Sequence, residues 1–413
     1  MLKRKVIMAI ADGLGDRPHP LLGGKTPLEF ARTPNLDRLA SEGITGMMDP
    51  IAPGIPVGTD MGHLILFGYD PKDYPGRGPI EALGIGMEVK PGDIVFRCNF
   101  STVDTNRIVV DRRAGRIREK TDEIAQAING MELEDGVVAY FKPATEHRAV
   151  LILRGAGLSD KISDSDPKAP NDGKPFHHVE PLDSTVEAER TASLLNLFLK
   201  KAHALLSTHP VNTERIAEGK LPANFILTRG AGKMVNLEPI ARKLKMNVSC
   251  IAGESTVLGV AQLAGYKTFT DHSMTGNIDT NIELKAQLAI EQIASNDLVY
   301  VHMKAPDVKG HDNEPIEKAK SIEHFDHMIG LIRRQLPENV YVALAADHST
   351  PCEVGEHTGE PVPVVIAGPS IRRDRVLQYN EMDCAEGGLG HLTGGDFVRT
   401  LHGLLGYVKK QGN

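Results

Sequence analysis

Lys5-Val-Ile-Met-Ala-Ile-Ala-Asp12-Gly13 decides the fold. Its apolar residues run on without alternation, so a strand here turns an apolar side chain to each face. That is the pattern of a parallel sheet covered by helices on both sides. The run ends in an acidic residue and a glycine at the strand's carboxyl end, where open α/β sheets hold their ligands. Working outward, Thr33-Pro34-Asn-Leu-Asp-Arg-Leu-Ala-Ser-Glu-Gly43 reads as a short helix, with Thr33 as N-cap, Pro34 at the first helical position and Gly43 as the stop.

The second half repeats this grammar. Asn224-Phe-Ile-Leu-Thr228, Asn247-Val-Ser-Cys-Ile-Ala252, Asp297-Leu-Val-Tyr-Val-His302, Asn339-Val-Tyr-Val-Ala-Leu-Ala-Ala-Asp347 and Val362-Pro-Val-Val-Ile-Ala367 are predicted strands. Helical patterns separate them. Ile316, Ile322, Phe325, Ile329 and Ile332 fall near helical spacing, and 395–405 is a final amphipathic helix. Alternating strands and helices predict an α/β fold with a mostly parallel sheet flanked by helices. The middle differs. Over 89–188 the strands are shorter and more polar, and the loop 163–175 is rich in turn formers. This segment reads as a smaller α+β domain inserted into a main domain of 1–88 and 189–413, with the helix 187–206 leading back.

With 413 residues, 41% hydrophobic and 24% charged, the chain is an ordinary globular protein of one large domain with an insertion, or of two to three domains. Lys+Arg 47 against Asp+Glu 54 leaves −7, Trp is absent and aromatics are 5%, which excludes a basic, base-stacking nucleic-acid binder. Cys98, Cys250, Cys352 and Cys384 are too dispersed for a zinc ribbon or a disulfide framework, and read as reduced thiols. The basic start resembles a signal peptide, but the apolar run 6–11 is too short for one or for a membrane span. A cytoplasmic protein is expected, with no nucleic-acid or membrane partner and the oligomeric state left open.

Four clusters of acid or histidine follow predicted strands: Asp12, then Asp307-Val-Lys-Gly-His311, then Asp347-His348, then His357 in the loop beyond. Each alone reads as a helix cap or a turn. Brought to neighbouring strand ends, three aspartates and three histidines meet. Carboxylates so crowded repel one another unless cations neutralise them. Carboxylate with imidazole suits Mn²⁺, Zn²⁺ or Co²⁺, and six ligands suffice for two ions, the arrangement that clamps both oxygens of an in-line displacement. A fifth piece is Pro56-Val-Gly58-Thr59-Asp60-Met-Gly62-His63 ahead of the helix-like Leu64-Ile-Leu-Phe67. Thr59 reads either as a plain N-cap or as a hydroxyl nucleophile among backbone N–H groups able to hold a phosphate.

These motifs, with Thr33-Pro-Asn-Leu-Asp-Arg-Leu-Ala, Phe67-Gly-Tyr-Asp-Pro71 and Gly76-Arg77-Gly-Pro-Ile-Glu81-Ala-Leu-Gly84, resemble the alkaline phosphatase superfamily. More closely they resemble the archaeal-type branch of the cofactor-independent phosphoglycerate mutases, over nearly the whole chain. The resemblance implies an alkaline-phosphatase-like fold with an inserted phosphotransferase domain. It implies one ion on Asp307, His311 and His357, and another on Asp12, Asp347, His348 and the nucleophile oxygen. Mn²⁺ comes foremost, with Mg²⁺, Co²⁺ or Zn²⁺ as alternatives, and no 2,3-bisphosphoglycerate is required. The family nucleophile is usually serine; this chain has Thr59.

On that reading, 3-phosphoglycerate enters between the domains and Thr59 takes its phosphoryl group. Glycerate then reorients, and its 2-hydroxyl takes the group back. Lys304 spreads charge on the phosphoryl oxygens. Arginine forks suit a carboxylate, so Arg112, Arg113, Arg116 and Arg148 are the candidate clamp. Asp111 is a candidate acid/base, and Arg77 and Asn99 stand near the domain junction. The alternatives are a metal-dependent phosphatase or a phosphopentomutase-like enzyme on the same scaffold, and a metal-binding regulator with a degenerate site. No ligand type is missing, which disfavours the last. A sulfatase lacks support because no Cys/Ser-x-Pro-x-Arg motif follows the first strand.

Overall fold

A computed structural model describes residues 3–168 and 173–412. Part of the turn-rich loop, 169–172, lies outside the described residues, as do residues 1–2 of the basic start. In chain order the strands are β1 (Lys5–Ala11), β2 (Ile44–Asp49), β3 (Ile94–Val103), β4 (Val109–Asp111), β5 (Met131–Glu132), β6 (Val138–Pro143), β7 (Arg148–Arg154), β8 (Phe225–Lys233), β9 (Val248–Ile251), β10 (Lys267–Phe269), β11 (Leu298–Met303), β12 (Val340–Ala345), β13 (Val362–Ala367) and β14 (Gly390–Thr393).

Two compact units divide the chain: Met1–Tyr74 with Leu237–Asn413, and Pro75–Asn236. The first carries an eight-stranded sheet in the order β10-β9-β11-β1-β12-β13-β2-β14. From β10 to β12 neighbouring strands are parallel, β13 is antiparallel to both its neighbours, and β14 runs parallel to β2. From Val6 onward β1 is wholly buried, as its unbroken apolar run requires when both faces are covered. The helix Pro315–Arg333 buries Ile322, Phe325, Ile329 and Ile332, whereas Ile316 in its first turn is 46% exposed. The final helix, Gly394–Leu404, opens on a capping box between Thr393 and Asp396.

The second unit is built on an antiparallel sheet, β4-β3-β7-β6-β5, with β8 also paired to β3. It is larger than the expected 89–188. Helix Arg77–Gly84 belongs to it; Gly78 lies so close to β3 that a Cβ there would stand 2.5 Å from the Val95 carbonyl. Helix Val186–Ser207 does not lead back to the first unit. It buries Leu194, Leu195, Phe198 and Ala202 in the core that β3, β6 and β7 share. The predicted strand 224–228 does not join the parallel sheet. It becomes β8, antiparallel to β3 from Phe225 against Ser101 to Lys233 against Ile94. An apolar run of only three residues, Phe225–Leu227, fits either sheet, and nothing local tells them apart. The four cysteines are buried free thiols. Among the described residues no helix is long and apolar enough to cross a membrane.

Candidate active site

Sheet register brings the first unit's chemical groups together. Ile10 lies opposite both His302 on β11 and Ala345 on β12, so the carboxyl ends of three parallel strands finish level. Asp12 follows β1, Lys304 follows β11, and Asp347 and His348 follow β12 within three residues. Helix Ala305–His311 starts directly after Lys304, with Asp307 and His311 one turn apart on one face. Gly13, at φ +61°, turns the chain and donates its N–H to Asp347 Oδ1 at 3.1 Å.

Thr59 is the first residue of helix Thr59–Leu66, and the N-cap is Gly58. The threonine hydroxyl is therefore not spent on capping. It accepts from Lys304 Nζ at 3.1 Å and lies 3.3 Å from His348 Nε2. Tyrosine hydroxyls fix the far end of this helix: Tyr300 donates to Leu66 O at 2.8 Å and Tyr266 to Phe67 O at 2.6 Å.

The polar atoms form two crowded groups. Asp307 Oδ1 lies 3.4 Å from both His311 Nε2 and His357 Nε2, and those two nitrogens are 3.1 Å apart. Each ring uses Nδ1 on a backbone carbonyl, His311 on Gly355 O at 2.7 Å and His357 on Val57 O at 2.8 Å. A carbonyl only accepts, so both Nδ1 atoms carry hydrogen and both Nε2 lone pairs face the carboxylate. A divalent cation between them would satisfy all three. In the second group, His348 Nε2 lies 3.4 Å from Asp12 Oδ1 and 3.2 Å from Asp347 Oδ2. Asp347 Oδ2 is buried with no hydrogen-bond partner, an expensive state for a carboxylate without a counter-ion. Ligand atoms of Asp12, Asp347 and His348, and of Asp307, His348 and His357, lie within 4.8 Å of one another in each set. Geometry and donor chemistry fit divalent metal ions.

Charge in the site is balanced locally. Lys304 Nζ pairs with Asp12 at 3.0 Å and Asp307 at 2.7 Å. Burial would push the Asp307 carboxyl up, but His357, Lys304 and His348 together hold it well below the usual carboxylate range. Asp347 is likewise held low against its burial by His348 and His63. Burial works against the charge of Lys304, yet the Asp12, Asp307 and Asp347 carboxylates raise its proton affinity above an ordinary lysine's.

Three neighbours escaped the sequence reading. His302 Nε2 contacts Asp12 Oδ2 at 2.8 Å. His63 holds Thr59 O at 2.8 Å and faces Asp347 at 3.3 Å. Thr350 bonds both Asp307 and His348. His63 stands inside the quoted Thr59 motif, and His302 is the one histidine in the apolar strand β11; those are the available signals.

The candidate clamp residues lie in the second unit and fall into separate groups. Arg113, Arg116 and Arg148 gather around His147, whose imidazole is held down first by burial and then by these guanidiniums; the three arginines are exposed. Arg112 differs: it is buried, and Asp166 grips its guanidinium through two bonds of 2.7 Å. Asn99 donates to Arg112 O at 3.2 Å, and Asp111 accepts Arg113 N–H at 2.6 Å. Arg77 and Arg97 share Glu81, at 2.9 and 2.8 Å.

The class these features define is an α/β protein with an aspartate–histidine cluster and a hydroxyl at the carboxyl ends of parallel strands, its chain interrupted by an antiparallel unit. The family described as 2,3-bisphosphoglycerate-independent phosphoglycerate mutase matches residues 40–212. A mutase of that name from Methanobrevibacter smithii is 46% identical over 99% of this chain and 100% of its own. A solved structure of a Pyrococcus horikoshii protein is similar at TM-score 0.86 and 38% identity, covering 100% of both chains. The cofactor-independent phosphoglycerate mutase of Thermoplasma acidophilum is similar at TM-score 0.75 and 35% identity, covering 97% of this chain and 100% of its own. The chain belongs to the family of 2,3-bisphosphoglycerate-independent phosphoglycerate mutases.

Proposed function

We propose that this chain interconverts 3-phosphoglycerate and 2-phosphoglycerate through a phosphothreonine at Thr59. The observation that carries this reading is the Thr59 hydroxyl, free of any capping duty and held between Lys304 Nζ and His348 Nε2. Asp307, His311 and His357 would hold one divalent ion, and Asp12, Asp347, His348 and Thr59 another. Such ions, Mn²⁺ foremost, supply Lewis-acid activation of a hydroxyl and neutralise phosphoryl charge.

Thr59 Oγ1 attacks phosphorus in line and loses its proton to solvent. The bond to glycerate O3 breaks, and Asp111 gives that oxygen a proton. Glycerate stays bound and turns. Its 2-hydroxyl then attacks the phosphothreonine and gives its proton to Asp111, while the bond from phosphorus to Thr59 Oγ1 breaks and that oxygen takes a proton back from solvent. Lys304 holds the equatorial phosphoryl oxygens as charge builds on them. Arg113, Arg116 and Arg148 hold the glycerate carboxylate through both turns of the cycle, which keeps transfer ahead of hydrolysis. Arg112, gripped by Asp166, shapes the loop that carries Arg113. The test is mass spectrometry of protein quenched during turnover, with an enolase-coupled assay alongside. A phosphate on Thr59 with 2-phosphoglycerate formed supports the reading; free phosphate as the main product replaces it with a phosphatase.

A further inference from the structure

Asp307 and His348 belong to opposite halves of the site, and one side chain touches both. Thr350 Oγ1 lies 2.7 Å from Asp307 Oδ1 and 3.1 Å from His348 Nδ1. A hydroxyl has one hydrogen to give. A carboxylate can only accept, so that hydrogen goes to Asp307, and the second contact is His348 Nδ1–H donating into Thr350 Oγ1. In the neutral ring this fixes His348 as the tautomer with a bare Nε2, the nitrogen that faces Thr59, Asp12 and Asp347.

Thr350 is held in place on every side. It is fully buried. Its N–H donates to Gly15 O at 3.0 Å, and its carbonyl accepts from Lys318 Nζ at 2.9 Å. Lys318 is itself fully buried and paired with Asp16 at 2.8 Å. Gly13 and Gly310 make the room: a Cβ on Gly13 would stand 2.5 Å from Thr350 Oγ1, and one on Gly310 2.9 Å from Thr350 Cγ2. His311 and His357 do not depend on this hydroxyl, because each rests on its own backbone carbonyl.

We infer that Thr350 is a positioning residue that ties the two halves together, setting the His348 tautomer through a ligand of the other half. The inference rests on the two-ion reading above. Losing the hydroxyl leaves His348 Nδ1 without an acceptor and favours hydrogen on Nε2, which closes that nitrogen to a metal. The half made by Asp12, Asp347, His348 and Thr59 then loses a ligand atom, whereas the half made by Asp307, His311 and His357 loses one hydrogen bond to its carboxylate and keeps all three ligand atoms. Removing an outer hydrogen bond to a ligating histidine costs about 10–100-fold in metal affinity.

The test is Mn²⁺ titration of the metal-stripped full chain, wild type against Thr350→Val and Thr350→Ser. Two ions are expected in wild type. Thr350→Val should weaken both and one of them about 10-fold more than the other, while Thr350→Ser restores both. Equal loss at both ions, or no loss at either, overturns the inference. Nitrogen-15 NMR of the metal-free wild-type chain tests it without any variant: Nδ1-protonated His348 is expected, and an Nε2-protonated ring overturns it even if Thr350→Val does not fold. Fewer than two ions in wild type refutes the two-ion reading instead, and the NMR result then decides the tautomer by itself.

Discussion

Lys304 Nζ stands 3.1 Å from Thr59 Oγ1 while it also pairs with Asp12 and Asp307. The nucleophile candidate is therefore hydrogen-bonded to the very cation that neutralises two of the site's carboxylates. Thr59→Ala is expected to lower kcat by more than about 10³-fold, with the far-ultraviolet spectrum and metal content retained. Thr59→Ser should keep activity within about 10-fold, since it preserves the attacking oxygen. Steady-state assays coupled to enolase read both, and unchanged turnover in Thr59→Ala would falsify the nucleophile assignment.

Lys304→Met removes the ammonium but keeps its length. Loss of one preorganised donor to developing charge costs about 10²–10³ in kcat. The effect should fall on kcat rather than KM. A KM effect alone would mean that Lys304 binds substrate but does not assist transfer.

Chelation followed by verified metal removal should abolish turnover, and Mn²⁺, Co²⁺ or Mg²⁺ should restore it. The convergent lone pairs of His311 and His357 motivate this expectation. Activity persisting in a sample shown metal-free by elemental analysis would contradict it.

Arg148→Ala, Arg113→Ala and Arg116→Ala each remove one guanidinium from the group around His147. Hydrogen bonds to a charged group are worth about 1.5–3 kcal/mol, so kcat/KM should fall roughly 10–100-fold. Release of inorganic phosphate per turnover should rise as glycerate escapes. Wild-type KM and clean transfer in all three would remove them from the clamp.

Away from the site, burial pushes the Glu381 carboxyl up to about 7, against the lowering effect of the Thr26 hydroxyl. That hydroxyl donates to Oε2 at 2.9 Å, while Oε1 is buried without a partner. Between pH 4.5, its ordinary value, and about 7, the folded chain keeps a proton that the unfolded chain releases. Stability contributed by this group is full below that window and falls as pH rises through it. The loss is roughly 3 kcal/mol. Glu381→Gln should flatten this slope and raise the melting temperature at pH 8, measured by thermal denaturation across pH; an unaltered slope would exclude Glu381 as its source.

Much of this was legible in the sequence where chemistry coincides with a local signal. Asp12, Asp347 and His348 directly follow strands whose apolar runs are unmistakable, and Asp307 and His311 are spaced by one helical turn. The structure gathers all of them, with His357 and Thr59, into one place. What escaped depended on distant partners. His302 looks like an interruption in an apolar strand until Asp12 lies against it. The sequence around Arg112 says nothing of Asp166, 54 residues away. Strand β8 needed knowledge of β3, since three apolar residues suit either sheet.

Every side chain of the aspartate–histidine cluster comes from before residue 75 or after residue 236, and the antiparallel unit is one uninterrupted stretch between them. On the proposed reading, bond-making and the hold on glycerate would be encoded in different parts of the gene. A single recombination with junctions at Tyr74–Pro75 and Asn236–Leu237 would replace the whole second unit and leave Thr59 and every candidate ligand untouched.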